Sequence, residues 1–208
     1  MAERLTVYVD GFNLYHGLHD AARRRWLWLD LVALAESLRP ASDVVRVNYF
    51  TAPVLNQPDA ASRQQEYLNA LSAKHGARIR IVQGRYQRKP KTCRVCGATW
   101  FEHEEKETDV NIAVSLVSDA AAGAMDAAIL VSADSDLGPA VRAARTISPR
   151  LFIAAAFPPK RYSAELQALM PASFHINENK IRKSLLPEVV TDQAQEYRRP
   201  AKWNPRAS

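Results

Sequence analysis

The sequence of 208 residues has only two cysteines, only seven glycines and no long apolar run. Two cysteines cannot staple a disulfide-dense scaffold. No apolar stretch approaches the ~20 residues of a membrane-spanning helix. Neither a glycine-rich dinucleotide turn nor a Walker sequence is present, which disfavours a nucleotide-binding Rossmann enzyme. Met1-Ala2-Glu3-Arg4 leads straight into a strand-like segment with no signal-peptide pattern, so a cytoplasmic protein without a membrane partner is expected. What is present is a globular composition, 47% hydrophobic, with a net charge of +6. That charge fits a polyanionic partner without requiring one.

The segment Leu5-Thr6-Val7-Tyr8-Val9-Asp10-Gly11-Phe12-Asn13-Leu14 reads as a strand that ends in an acid and turns at once into a helix. Helical patterns follow at 13–24, 29–38 (before Pro40), 58–75, 108–122, 136–147, 163–170 and 178–185. Strand patterns fall at 44–51, 79–86, 126–131, 150–156 and 173–176. Strands alternate with helices throughout, the pattern of a parallel sheet covered on both faces, an α/β fold of three layers, α/β/α. Residues 1–186 are expected to form one domain, and 187–208 a flexible basic tail. The stretch 87–104 is basic and contains both cysteines. It reads as an irregular inserted loop, and loops of that length are usually functional or ordered by something extra.

Ligands of open α/β sheets bind at the carboxyl ends of the strands. Asp10 ends the first strand, and Asp134 and Asp136 follow the strand at 126–131. Asp109 lies in the first turn of the helix after the long loop. Its spacing to Ile112 and Leu116 places it on that helix's buried face. These four acids, with Asn13, should converge on one edge. Singly, each has a plainer explanation as a turn or helix-capping residue. Packed at ~4 Å, four carboxylates would repel each other unless cations were bound. Oxygen ligands select Mg²⁺ or Mn²⁺, and such a site can activate water for phosphodiester cleavage.

Val9-Asp10-Gly11-Phe12-Asn13-Leu14 resembles the opening motif of NYN domains, LabA-like members of the PIN-like ribonuclease superfamily. Glu105-Lys106-Glu107-Thr108-Asp109-Val110-Asn111-Ile112-Ala113 resembles the family's central helix motif, and Ile129-Leu130-Val131-Ser132-Ala133-Asp134-Ser135-Asp136-Leu137 its second acid pair. Ala133 stands where relatives often have glycine. The resemblance covers about residues 4–157 and implies a PIN-like Rossmannoid sheet and metal-dependent ribonuclease activity. It carries over Asp10, Asp109, Asp134 and Asp136 as metal-binding acids and Asn13 as a positioning neighbour. It also implies an acid on the helix after the second strand, for which Glu66 is the candidate, and frequent homodimers.

Cys93-Arg94-Val95-Cys96-Gly97 resembles a zinc knuckle. His103 is the nearest further ligand for a structural Zn²⁺, with Glu102 or Glu104 to complete it; two free thiols are the alternative. Arg85, Tyr86, Arg88, Lys89, Lys91, Arg94, Trp100 and Phe101 combine charge with aromatic faces, as RNA-binding surfaces do, and Lys106 could contact a phosphate. Arg23-Arg24-Arg25-Trp26 either extends that surface or is a solvated helix end with a buried tryptophan. A metal-dependent endoribonuclease is the leading expectation, and a PIN-like module that binds RNA or protein without cutting is the alternative. A phosphatase with Asp10 as nucleophile is disfavoured, because Phe12 stands where such enzymes carry a second acid.

Overall fold

The near-continuous apolar run of the first strand is what burial on both faces requires. In the computed structural model this strand is β1 (Glu3–Asp10), buried from Leu5 to Asp10. Residues 2–193 and 195–204 are described, without the side chains of 102–105. Along the chain follow α1 (Gly11–Ala22), α2 (Leu31–Leu38), β2 (Ser42–Thr51), α3 (Pro58–His75), β3 (Ile79–Gln83), β4 (Arg85–Thr92), β5 (Thr99–Lys106) and α4 (Thr108–Ala121). Then come β6 (Ala127–Val131), α5 (Gly138–Ile147), β7 (Phe152–Phe157), α6 (Ala164–Leu169), β8 (Phe174–His175), α7 (Glu178–Lys183), β9 (Val189–Asp192) and β10 (Gln195–Arg198).

Six strands form one sheet in the order β3-β2-β1-β6-β7-β8, and every neighbouring pair is parallel. Side chains of a strand alternate between faces. Leu5, Val7 and Val9 of β1 and Ile129 of β6 therefore join one core with Leu14 of α1, Leu34 of α2 and Leu71 of α3. Tyr8 and Leu130 face the other way and pack with Ile112 and Leu116 of α4, Val141 of α5 and Leu166 of α6. The result is the expected α/β/α arrangement around a central parallel sheet.

Strand order reverses direction between β1 and β6. Chains of this winding leave a crevice at that point, outside the carboxyl ends of the two strands. Gly11 lets α1 start hard against β2. A Cβ there would lie 2.5 Å from the Phe50 carbonyl oxygen, a backbone atom that cannot swing away.

Three sequence expectations need correction. Residues 87–104 are not irregular. β4 and β5 pair antiparallel from Arg85–Lys106 to Thr92–Thr99 as a separate ribbon, with the cysteines in its turn. Its strands show no apolar alternation because neither presents a fully buried face among the described residues. The stretch from 187 is not a free tail through the described residues. β9 and β10 form a hairpin against α3, and the Trp203 ring lies 6.0 Å from that of Tyr67 and 6.4 Å from that of Trp28. Few apolar residues anchor it, chiefly Val190, Tyr197 and Trp203, too few to stand out in a polar sequence. Finally, Asp109 is exposed, and the buried stripe of α4 runs Thr108, Ile112, Leu116, Ala120. A stripe of strict four-residue spacing takes in 108 and leaves 109 a ~100° step away.

Candidate active site

Asp10 is the last residue of β1 and the N-cap of α1, and it is 3% exposed. Its Oδ1 accepts the Asn13 N–H at 3.0 Å, and its Oδ2 accepts the Ser132 hydroxyl at 2.8 Å. Ser132 directly follows β6, across the crevice. Its Oγ in turn accepts the Asp134 N–H at 3.0 Å. The Asn13 side chain lies beside the Asp10 carboxylate and favours its charge, while its Oδ1 accepts the Ala133 N–H at 3.2 Å. Asn13 and Ser132 thus tie the end of β1 to the loop after β6. Asp134 caps the next turn, its Oδ1 accepting the Asp136 N–H at 2.9 Å.

Burial pushes the Asp10 carboxyl above the ordinary carboxylate range. The bonds from the Asn13 N–H and the Ser132 hydroxyl, with the Asn13 side chain, pull it down, and the negative charge of Asp134 pushes it up again. A buried acid with a second carboxylate bearing on it is a place where a cation, or a proton, is favoured.

The expected residues do not all gather. Among the described residues, no three His, Cys, Asp or Glu side chains lie close enough together to hold a metal ion. Asp136 is exposed on the turn after Asp134, and Asp109 is exposed in the first turn of α4. Glu66 faces elsewhere: its Oε1 accepts the Arg198 N–H at 2.7 Å and holds the C-terminal hairpin. Ser132 was not singled out in the sequence. Its position between a buried strand and an acid two residues on is the signal that could have found it.

The β4–β5 ribbon leaves the sheet directly after β3. Arg85 pairs with Glu107. The Arg88 guanidinium stacks 3.5 Å from the Phe101 ring centroid, and Trp100 is half exposed. Lys89 and Lys106 are half-buried, whereas Lys91 and Arg94 are exposed. At the tip Cys93 and Cys96 form no disulfide. N–H groups of Cys96 and Val95, and the Cys96 side chain, hold the Cys93 thiol below its ordinary range. His103, the expected third zinc ligand, and Glu102 and Glu104 have side chains outside the described residues. Arg23, Arg24 and Arg25 are exposed, while Trp26 is partly buried against the core.

A cleft of about 360 Å³ begins at Gly11 and runs along α1 to Arg24, walled on the other side by α3. Tyr15, Tyr49, Tyr67, Tyr86 and Trp203 give it an aromatic lining, and Arg24 and Arg63 are its charged residues. Tyr49 connects it to the acid site. Burial, with the Asp10 charge adding to it, pushes the Tyr49 hydroxyl up to about 12.

Comparison with known proteins agrees with this architecture. The chain is 27% identical to 6-hydroxy-3-succinoylpyridine 3-monooxygenase HspA of Pseudomonas putida, over 90% of this chain and 71% of that protein. The crystal structure of a protein of unknown function from Vibrio parahaemolyticus superposes with a TM-score of 0.54 at 20% identity, covering 89% of this chain and 97% of that one. This likeness concerns the fold. A profile of the NYN domain matches residues 4–176, most of the molecule including both sides of the crevice. The chain belongs to the NYN domain family, within the PIN-like superfamily.

Proposed function

We propose that this protein is a metal-dependent endoribonuclease whose site is the crevice between β1 and β6. One observation carries the reading: buried Asp10, fixed by Asn13 and Ser132, sits within the field of Asp134 at the switch point of the sheet. The donors fit Mg²⁺ or Mn²⁺, since Mg²⁺ is usually held by one or two carboxylates together with waters and substrate phosphate rather than by an all-protein cage. Asp10 and Asp134 are the proposed ligands, and Asp109 and Asp136 act from the rim through water. A divalent ion supplies there a bound water of lowered pKa and positive charge for the leaving oxygen. Ser132 and Asn13 keep the Asp10 oxygens oriented. The ribbon's Arg88, Lys89, Lys91 and Arg94 neutralise backbone phosphates, while Trp100 offers a stacking face.

Cleavage of a labelled mixed-sequence single-stranded RNA, with Mn²⁺, Mg²⁺ or EDTA, tests this. Cutting that needs the metal and disappears in Asp134→Asn is the expected outcome. RNA bound but left whole by the wild type would instead favour a non-catalytic RNA-binding module.

A second reading comes from the Pseudomonas relative, whose name describes a monooxygenase acting on a substituted pyridine. The aromatic cleft is of a size for such a ring. Turnover of 6-hydroxy-3-succinoylpyridine that consumes dioxygen and a two-electron donor, in the absence of RNA cleavage, would favour it.

A further inference from the structure

The cleft along α1 has an unusual combination of linings. Its wall is aromatic, no Asp or Glu contributes to it among the described residues, and its two arginines stand without an ion pair there. Some other arginines of this protein are ion-paired, such as Arg4 with Asp126, Arg39 with Glu3, Arg78 with Glu36 and Arg161 with Asp20, and those pairs hold the guanidinium away from a ligand. Two uncompensated guanidinium groups beside tyrosine faces suit a planar ring that carries an anionic group. The volume of about 360 Å³ lies within the range of small-molecule sites. Its position narrows the choice further. The cleft begins at the residue after Asp10, and Tyr86, which lines it, is also the second residue of β4. It therefore joins the acid crevice to the basic ribbon.

We propose that this cleft is a nucleotide subsite, which takes one unpaired base of an RNA strand against its tyrosines and that nucleotide's phosphate against Arg63 and Arg24. The proposal rests on the nuclease reading and adds to it a second point of contact, away from the carboxylates. The base is drawn out of the strand into the cleft, and the adjoining phosphate is left at the crevice. Single-stranded RNA is thereby preferred over duplex, whose bases are already paired and stacked.

Calorimetric titration of the full chain in EDTA tests the subsite without any turnover. The probes are 5′-AMP, 5′-UMP, inorganic phosphate and pyridine-3-carboxylate. At least one mononucleotide is expected to bind, with phosphate alone weaker. Arg63→Ala and Tyr86→Leu should each weaken the mononucleotide roughly tenfold, in line with the loss of one stacking or charged contact. Both positions lie at the surface of their elements, and circular dichroism verifies folding. In RNA cleavage, Arg63→Ala should raise KM roughly tenfold and change kcat less than about threefold. Unchanged mononucleotide affinity in both variants would overturn the subsite, as would binding of pyridine-3-carboxylate with neither mononucleotide bound. If the wild type cuts no RNA but binds mononucleotides in an Arg63-dependent way, the subsite stands and the nuclease reading falls.

Discussion

Asp10 carries a conflict that its neighbours only partly resolve. Burial and Asp134 favour its protonated form, while three hydrogen-bonding groups favour the carboxylate. Because the folded value lies above the unfolded one, the folded state binds this proton more tightly. Its contribution to stability is therefore full at low pH and is lost as pH rises through the folded value. Asp10→Asn removes the charge and keeps the shape. Without metal, it should raise the urea midpoint at pH 7 and give a smaller gain at pH 4, while abolishing cleavage. Equal midpoints at both pH values would contradict this account. The acid itself is visible in the sequence, because a strand of apolar residues ending in Asp is an unusual juxtaposition. Its partner Ser132 is not, since one hydroxyl among many has no pattern. Asp109 lies one step off the buried face that its spacing suggests, because apolar spacing fixes helical phase only to within about one residue, and Thr108 supplies the buried group instead.

Among the elements, the sheet and its covering helices were legible because each obeys a period. Buried strands run apolar, and helices repeat their stripe every three or four residues. The β4–β5 ribbon obeys neither rule: it carries Pro90 and basic residues on strands with no fully buried side chain among the described residues, and it is held chiefly by cross-strand pairing. The C-terminal hairpin was missed for a related reason, since one tryptophan holds much of it. Trp203 is 8% exposed, and the Arg199 guanidinium bonds both the Trp203 carbonyl, at 2.7 Å, and the Arg25 carbonyl, at 2.6 Å. Trp203→Ala should cost about 3 kcal/mol, as large-to-small changes at buried aromatics do. Limited trypsin digestion should then cut first after Arg198, the Arg199–Pro200 bond resisting the enzyme, and leave the remaining sheet intact. Uniform digestion would show that the hairpin and the domain unfold together.

For the whole molecule, the reversal of strand order puts the acid pair at the centre of the sheet, supported on both sides by core. Stability at low pH is governed elsewhere, beneath α2. Asp30 is 1% exposed, caps α2 through the N–H groups of Val32 and Ala33, and lies 2.8 Å from Lys74 Nζ. His75 Nε2 is 2.7 Å from its Oδ1, though off the line of a hydrogen bond. Burial alone would raise this carboxyl, but His75, the Ala33 N–H and Lys74 outweigh it and hold it at about 2. The folded value is below the unfolded one, so the stabilisation is present above about pH 4 and is lost as pH falls toward 2. Asp30→Ala should cost about 3 kcal/mol at pH 7, by urea denaturation, because it leaves the N–H groups of Val32 and Ala33 without their cap and the Lys74 ammonium without its buried partner. The gap should close near pH 2.

The Trp203 wall has a consequence for the order in which the molecule is made. The floor and the other walls of the cleft come from residues 11–86, whereas Trp203 is more than a hundred residues later. The ribosome therefore delivers both crevice acids, Asp10 and Asp134, well before the last wall of the cleft. Any shortening of the chain before Trp203 would leave the acids in the sequence and the aromatic cleft open along one side.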